Sequence, residues 1–453
     1  MHERETKTLL AKLSERSERN SRILPEFYEQ YPVHRGLRNK NGTGVLVGLT
    51  DVGAVHGYDL IEGVKVPDVG RLYYRGVSLE TLVKGFQADR RRGFEETVYL
   101  LLFGELPNRK ELDEFAQLLD ECRHLPNDFT ENMILKIPSK DIMNKLQRSV
   151  LVLYSHDENP DDTAISNVLW QSIQLIARFP TIISYGYQAK SHYFDHTSLF
   201  IHPPQRGIGT AENILYMIRR DNQYTKMEAE TLDLCLVIHA EHGGGNNSAF
   251  ATHVVSSSGT DTYSAIVAAI GSLKGPKHGG ANNQVRAMID DIVENCSDWT
   301  NRTALKNYLR RMLKKEVFNR EGLIYGMGHA VYTYSDPRAV LLKEKAYELA
   351  VEKNALDKYG LYADIESLTM ELFKELKGVH CVICANVDLY SGFVYEMLDI
   401  PQELYTPLFA TARIAGWCAH RIEQIVSDNK IMRPAYISVS DEVVYKTLTE
   451  REC

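Results

Sequence analysis

The chain has 453 residues, of which 44% are apolar, and this is enough to fill a substantial core in about two or three domains. Its 60 acidic residues outnumber its 52 basic ones, and the net charge of -8 argues against non-specific binding of nucleic acid. An anionic ligand therefore has to be held by a local cluster of basic residues.

The sequence gives no sign of a targeting or membrane segment. The N-terminal stretch MHERETKTLLAKLSERSERN is charged throughout, unlike a signal peptide, and its acidic residues are unlike a transit peptide. The longest apolar-rich segment, Ile165 to Tyr185, is interrupted by polar residues and by Pro180, so it is too broken to span a bilayer. Seven cysteines in mostly apolar surroundings predict reduced thiols and no disulfide framework. We expect a cytoplasmic protein that binds neither membranes nor nucleic acid.

The only β-rich region lies near the N-terminus. Between residues 42 and 75, glycine-punctuated and β-branched fragments such as 44–48 and 70–74 predict short strands or hairpins. After Val77 apolar residues recur at three- and four-residue spacings, and glycine and proline separate the predicted helices. The fold class is therefore mainly α-helical with a small β element.

Three later helix boundaries are predicted clearly enough to place motifs. Met227 to His239 is a predicted helix that ends in a histidine cluster. Asp336-Pro337 predicts a helix start, because a capping carboxylate precedes a proline at the first helical position. Leu404 to Val426 predicts a long final helix with one apolar face.

A group of closely spaced histidines begins at residue 239. His239 and His242 have the spacing to meet on one helix face and ligate a metal, with His253 as a third ligand. The alternative is a hydrogen-bonded pair at a helix end, and the HExxH order of zinc proteases is absent. The run 243–248, which includes Asn246, offers N–H groups at a predicted helix start and suits an anion, although glycine triplets are usually flexible connections.

His278 lies between two glycine-containing pairs, Gly275-Pro276 and Gly279-Gly280, at the head of a predicted helix. The positive end of the helix dipole disfavours the imidazolium, so the ring remains a neutral N–H donor for a developing enolate oxygen. The alternative is a residue that only caps the helix.

The segment 326–338 combines a glycine-flanked His329 with Arg338 inside a capped helix. A planar guanidinium suits a carboxylate, so the segment pairs an acid–base group with an anion anchor. The alternative is a surface helix start with a solvated arginine.

Further charged candidates lie near the C-terminus. Asp388 ends an apolar run, and a desolvated carboxylate is a stronger base toward carbon acids, although aspartate often serves only as a helix cap. Arg413 lies in the middle of the final helix, where a charge needs a partner, and Arg433 follows that helix. With Arg338 these arginines suggest a clamp for a small polycarboxylate. The nearby pair Cys381 and Cys384 is interpreted as core packing.

Several motifs occur in one order along nearly the whole chain: GRLYYRG, FEETVYLLLFGELP, HAEHGGGN, GPKHGGAN, GMGHAVYTYSDPRA, NVDLYSG, LFATARIAGW and a late RP pair. Together they resemble the citrate synthase family, of the bacterial type. The resemblance implies a two-domain helical homodimer with the active site in the cleft between the domains. A large domain would comprise residues 1–278 and 391–453, and a small domain residues 279–390.

The resemblance also implies roles for individual residues. Asp388 would remove a methyl proton from acetyl-CoA, His278 would stabilise the enol, and His329 would protonate the oxaloacetate carbonyl. The residues implied as oxaloacetate ligands are His242, Asn246, Arg338 and Arg413, with Arg433 supplied by the neighbouring subunit. Citryl-CoA would then be hydrolysed. Acetyl-CoA is a substrate in this scheme, and neither a cofactor nor a metal is expected.

Two positions depart from the family pattern. Thr333 stands where many members carry a basic residue facing a coenzyme A phosphate, so Lys274 or Lys277 is a candidate replacement. Gly243 replaces an acidic residue that is common after His242. Contacts to coenzyme A are also expected from the glycine-rich run 326–328, which consists of Gly326, Met327 and Gly328.

Three other functions are weighed against this one. A 2-methylcitrate synthase would use propionyl-CoA with the same residues, and one methylene is worth only ~1–3 kcal/mol of discrimination. A metal-dependent hydrolase would use His239, His242 and His253. A helical scaffold without activity would have no use for the charged candidates, which makes it the weakest alternative.

Overall fold

Helices dominate the computed structural model, which describes residues 3–378, 382–427 and 430–451. Within these ranges the only sheet has three antiparallel strands, so the predicted fold class is confirmed. No helix within these ranges combines the length and the apolar character needed to cross a bilayer.

The helices follow the predicted periodicity. In chain order they are α1 Glu3–Asn20, α2 Pro25–Gln30, α3 Leu79–Ala88, α4 Phe94–Phe103, α5 Arg109–Cys122, α6 Ile142–Leu153, α7 Ile165–Asp195, α8 Thr210–Ile218, α9 Lys226–His239, α10 Asn247–Ser256, α11 Thr262–Lys274, α12 Ala281–Asn295, α13 Arg302–Leu313, α14 Pro337–Glu352, α15 Leu356–Lys377, α16 Val387–Met397 and α17 Tyr405–Ser427. Short 3-10 turns cover Arg35–Leu37, Tyr154–His156, Gln402–Leu404 and Leu448–Glu450, and a π-helical turn covers Thr130–Leu135.

The sheet consists of β1 (Gly53–Ile61), β2 (Val64–Tyr74) and β3 (Val77–Ser78), in the order β1-β2-β3. The β1–β2 hairpin pairs Gly53 with Tyr74 and Ile61 with Val64. Strand formation at 70–74 is confirmed, but at 44–48 it is wrong. There the described residues form only an isolated bridge between Arg38 and Gly44, and Leu46 is 84% exposed, so no apolar face is buried to hold a strand.

The core is built around the two long helices α7 and α17, which pack against each other. α17 also contacts α4, α9, α10 and α11, and most of its side chains are buried. Pro180 lies inside α7 without ending it. Because α17 is covered on several sides, polar residues on it must find partners inside the protein.

The chain forms two compact units. The first comprises Met1–Val47 and Arg433–Cys453, and the second comprises Gly48–Met432. The division of the chain near residues 278 and 390 into a large and a small domain stays a prediction.

Helix ends deliver the candidate residues to one region of the second unit. α9 ends at His239, and α10 begins after the N-cap Asn246. α14 begins at Pro337 with Asp336 as its N-cap, as predicted, and α16 begins at Val387 with Asn386 as its N-cap. The helix starts and stops read from the sequence therefore position most of the site.

Candidate active site

His242 lies at the centre of the candidate site. Burial lowers the pKa of His242 well below its usual value, and the neighbouring Arg338, His329, Arg413 and His278 lower it further. Its ring centroid is 5.2 Å from that of His329. Four residues from three distant segments of the chain thus lie around one neutral imidazole.

The tautomer of His329 is set by the backbone. Its Nδ1 accepts hydrogen bonds from the amides of Val331 (3.1 Å) and Tyr332 (3.2 Å), so the ring hydrogen lies on Nε2. The Tyr332 ring stacks on the imidazole with centroids 4.6 Å apart, and Nε2 lies 3.5 Å from Nη2 of Arg338. Burial, and then Arg338, lower the pKa of His329 to about 4. His329 is therefore a neutral ring with a single N–H donor.

Asp336 holds Arg338 in place. The carboxylate accepts hydrogen bonds from Nε (3.0 Å) and Nη2 (2.7 Å) of Arg338, and both side chains are buried. The same carboxylate accepts a bond of 3.3 Å from the amide of Val387, at the start of α16. Asp336 thereby joins the arginine to the helix that carries Asp388.

The glycine-rich run 326–328 is paired with the segment that precedes Asp388. Asn386 donates from its backbone to Gly326 O (2.9 Å) and from its side chain to Gly328 O (2.8 Å). Gly328 donates to Cys384 O at 2.7 Å, and both glycines have positive φ values, 82° and 91°, which favour glycine. This backbone pairing sets the distance between the His329 loop and Asp388. Its part in binding coenzyme A stays a prediction.

Asp388 has the properties of a base in a desolvated environment. Burial raises the pKa of Asp388 to about 6; Arg338 opposes the shift and Asp336 adds to it. The side chain is partly buried, and within the described ranges no hydrogen-bond donor reaches its carboxylate. A carboxylate without donors keeps its basicity for a ligand.

A hydrogen-bonded group orients His278. Its Nε2 lies 3.0 Å from Oγ of Ser248, and Ser248 also contacts Nε1 of Trp417 (3.1 Å) and Oδ1 of Asn246 (3.0 Å). Burial, followed by Arg413, lowers the pKa of His278 to about 4. The ring is neutral, as predicted from the helix dipole, but burial is the main cause. Asn246 itself is the N-cap of α10, so its role as a ligand stays a prediction.

Arg413 is buried in the middle of α17. Its Nε donates to His239 O at 2.6 Å, and its Cζ lies 4.7 Å above the Phe409 ring, which also packs 4.9 Å from His239. Nη2 of Arg413 and Nε2 of His242 are buried without a hydrogen-bond partner among the described residues. Such burial costs about 1–3 kcal/mol per group, which a protein tolerates where a polar ligand binds.

The metal-binding hypothesis for His239, His242 and His253 is wrong. α9 ends at His239, so the helical spacing does not continue to His242, and the His239 ring instead packs on Phe409. His253 belongs to a different cluster: its Nε2 lies 3.1 Å from Nδ1 of His420.

This second cluster lies on α10 and α17. His420 contacts Oε1 of Glu241 through Nε2 at 3.0 Å and Oε2 of Glu423 through Nδ1 at 3.6 Å. Nδ1 of His253 lies 2.9 Å from Oε1 of Gln424. Burial alone would lower the pKa of His420, but the two carboxylates raise it to about 9. We call His253, His420 and Glu423 the backing cluster.

Three other predicted residues are not placed among the site residues. Arg433 belongs to the first compact unit, where its side chain is exposed. Lys274 forms an ion pair of 2.8 Å with Asp141, and Lys277 is exposed. Of the cysteine pair, Cys384 is buried as expected, and Cys381 lies outside the described residues.

The site also contains residues that sequence reasoning missed: Ser248, Tyr332, Phe409 and Trp417. Tyr332 and Trp417 lie in the motifs GMGHAVYTYSDPRA and LFATARIAGW, which was a usable signal. The contact between Ser248 and His278 spans 30 residues, and no local pattern reveals it.

Fold and site together define a mainly α-helical enzyme with a cluster of buried acid–base groups. The citrate synthase C-terminal domain model matches residues 41–435. The chain is 34% identical to citrate synthase from Synechocystis sp. over 84% of this chain and 88% of that protein. It is 31% identical to 2-methylcitrate synthase 1 from Corynebacterium glutamicum, over 86% and 95% of the two chains.

A solved structure adds a match in three dimensions. It is the ternary complex of citrate synthase from Thermoplasma acidophilum with carboxymethyl coenzyme A and oxaloacetate. Its TM-score is 0.74 at 25% identity, and the match covers 92% of this chain and 99% of that one. The chain belongs to the citrate synthase family.

Proposed function

We propose that the protein condenses acetyl-CoA with oxaloacetate and hydrolyses citryl-CoA, releasing citrate and CoA without a metal or a redox cofactor. The observation that carries the proposal is the pairing of one carboxylate of raised pKa, Asp388, with three neutral imidazoles next to two arginines. Family membership supports the same reaction.

The first step is removal of a methyl proton from acetyl-CoA by Asp388. A carboxylate with a pKa near 6 is a stronger base than one in water, yet it is still ionised at pH 7. The electron pair of the broken C–H bond forms the enolate, whose oxygen needs a donor.

We assign that donor to His278. Ser248 has one hydroxyl hydrogen, which it donates to Oδ1 of Asn246; when that hydrogen turns instead to Nε2 of His278, the ring hydrogen lies on Nδ1, free to donate to the enolate oxygen. A neutral imidazole of lowered pKa suits this role, because it stabilises the enolate without neutralising Asp388.

Oxaloacetate is the electrophile. The enolate carbon attacks its ketone carbon, and the ketone oxygen takes the hydrogen from Nε2 of His329. Arg338 and Arg413 bind the carboxylates, and His242 and Asn246 complete the set of ligands. Nε2 of His329 lies next to Arg338. This position supports a bound oxaloacetate whose carboxylate contacts Arg338 while its ketone oxygen faces the N–H of His329.

The finer organisation is also proposed. The enzyme acts as a homodimer in which Arg433 reaches the active site of the neighbouring subunit, and a small domain at 279–390 closes over the cleft before citryl-CoA is hydrolysed. Lys277 and the run 326–328 contact coenzyme A. The five described cysteines are all free and buried, which fits a reducing cytoplasm.

Propionyl-CoA is a second candidate acyl donor, because 2-methylcitrate synthases are among the relatives with about a third of residues identical. One methylene changes the transition-state energy by only ~1–3 kcal/mol, so the same catalytic residues serve both reactions.

The proposal is tested by CoA release from a panel of acyl-CoAs in the presence of oxaloacetate. We expect CoA release from acetyl-CoA that depends on oxaloacetate, with a higher kcat/KM than for propionyl-CoA. A higher kcat/KM for propionyl-CoA would make the protein a 2-methylcitrate synthase. CoA release without oxaloacetate would contradict the condensation and indicate a thioesterase.

A further inference from the structure

The backing cluster places three ligand atoms around one point. Nε2 of His253 and Nδ1 of His420 lie 3.1 Å apart, and Oε2 of Glu423 lies 3.6 Å from the latter. All three atoms lie within 4.8 Å of one another. A tetrahedral zinc ion with Zn–N distances of 2.0–2.1 Å holds two ligand nitrogens about 3.3 Å apart, so these separations fit a shared metal.

Both imidazoles have their outer nitrogen engaged. Nε2 of His420 donates to the buried carboxylate of Glu241, and Nδ1 of His253 donates to the side-chain oxygen of Gln424. These bonds keep a ring hydrogen on each outer nitrogen, and without a metal one inner hydrogen is shared between Nδ1 of His420 and Nε2 of His253; a bound cation would displace it and take both inner lone pairs. Outer-shell carboxylate and amide partners of this kind are typical of metal-ligating histidines.

The third ligand is oriented in the same way. Oε1 of Glu423 accepts a hydrogen bond of 2.6 Å from the amide of Asp51, whereas Oε2 is buried without a hydrogen-bond partner among the described residues. A divalent cation in place of the inner hydrogen would give this buried oxygen a direct partner and keep its charge balanced.

Gly244 borders the two imidazoles. A Cβ atom added there would lie 3.4 Å from Nε2 of His253 and 3.4 Å from Cε1 of His420. Glycine keeps a side chain away from this face of the two rings, and a water molecule would be the fourth ligand of a four-coordinate ion.

We propose that His253, His420 and Glu423 bind a divalent transition metal of the zinc type. The preference for zinc over magnesium or calcium follows from the two imidazole ligands, because those harder cations take oxygen ligands. The ion would tie α10 to α17 and, through Glu241, the turn that carries His242. Its role is structural, so the proposed condensation chemistry does not depend on it.

The test is zinc binding by the full-length chain. Protein freed of metal with a chelator is titrated with Zn²⁺ by calorimetry, and with Co²⁺ followed by its visible absorption. We expect one saturable site per chain, and Co²⁺ bands of the intensity found for four-coordinate sites. Absence of saturable zinc binding by the folded wild-type protein would overturn the proposal.

Variants locate the site. His253→Gln and Glu423→Gln should both lose the zinc site. Two ligands are replaced separately, so that the test still stands if one of the variants fails to fold. Replacement of the outer-shell partner, Gln424→Leu, should weaken zinc binding by about 10–100-fold. The control is His56→Gln, in the more exposed group of His56, Asp59 and Asp68, which should bind zinc as the wild type does. Unchanged zinc affinity in His253→Gln, or loss only in His56→Gln, would overturn the assignment.

Discussion

Two groups of histidines lie close to α17 and have opposite electrostatics. His242, His278 and His329 are partly buried beside guanidinium groups, which add to the lowering of their pKa values by burial. In the backing cluster, two buried histidines lie beside carboxylates, and the pKa of His420 is raised. The same side chain is thus held neutral beside guanidinium groups, whereas carboxylate neighbours favour the charged form of His420.

The largest expected effect is the loss of the base from the first group. Asp388→Asn removes the proton acceptor but keeps the shape, so kcat should fall by about 10²–10⁴-fold. Oxaloacetate binding, measured by calorimetry, should stay nearly unchanged. The matched control is Asp357→Asn, an exposed position in α15, which should retain the wild-type rate. Near-native turnover in Asp388→Asn would mean that another group is the base.

Loss of a guanidinium should act on substrate binding. Arg338→Gln removes a charge-assisted contact to oxaloacetate, so kcat/KM for oxaloacetate should fall by about 10–100-fold. It also leaves Asp336 buried without its charged partner, and urea unfolding should show a stability loss of about 3–5 kcal/mol. Arg310→Gln, an ion-paired residue on α13 away from the site, is the control for both measurements. An unchanged KM for oxaloacetate would remove Arg338 from the ligand set.

The next effect concerns the orientation of His278. Ser248→Ala removes one hydrogen bond to the ring, so kcat should fall by about tenfold while KM for oxaloacetate changes little. Ser258 lies beyond the end of α10 and its hydroxyl donates to Val255 O, so Ser258→Ala should have no effect. Equal rates in both variants would show that Ser248 does not set the tautomer.

The smallest expected effect is on stability. The pKa of Asp388 is raised in the folded protein from 3.8 to about 6, so the folded state binds more protons than the unfolded state between these values. Stability is therefore lost as pH rises through this window, and above pH 6 the ionised carboxylate costs stability. Asp388→Asn should be more stable than the wild type by about 1–2 kcal/mol at pH 8, after allowance for partial exposure. A less stable variant would contradict the assigned pKa.

The sequence alone predicts much of the fold and most of the pocket. Asp336-Pro337 marks the start of α14 correctly because capping is a local interaction, and α17 follows from its apolar spacing. The strand predicted at 44–48 was wrong, because a strand depends on a paired neighbour and a local pattern does not reveal one.

Contacts between distant segments account for the rest. His253 was grouped with its sequence neighbours His239 and His242, but the end of α9 separates them and α17 supplies its partner His420. Ser248 was missed because its partner lies beyond α11. Residue type and local spacing identify candidates, whereas long-range packing decides which of them meet.

The most direct test of the central claim is the pH dependence of kcat/KM for acetyl-CoA at saturating oxaloacetate. Because burial raises the pKa of Asp388 to about 6, the value should be constant from pH 7 to 8 and fall tenfold per pH unit below about 6. A profile that stays flat down to pH 4 would contradict a desolvated carboxylate as the base.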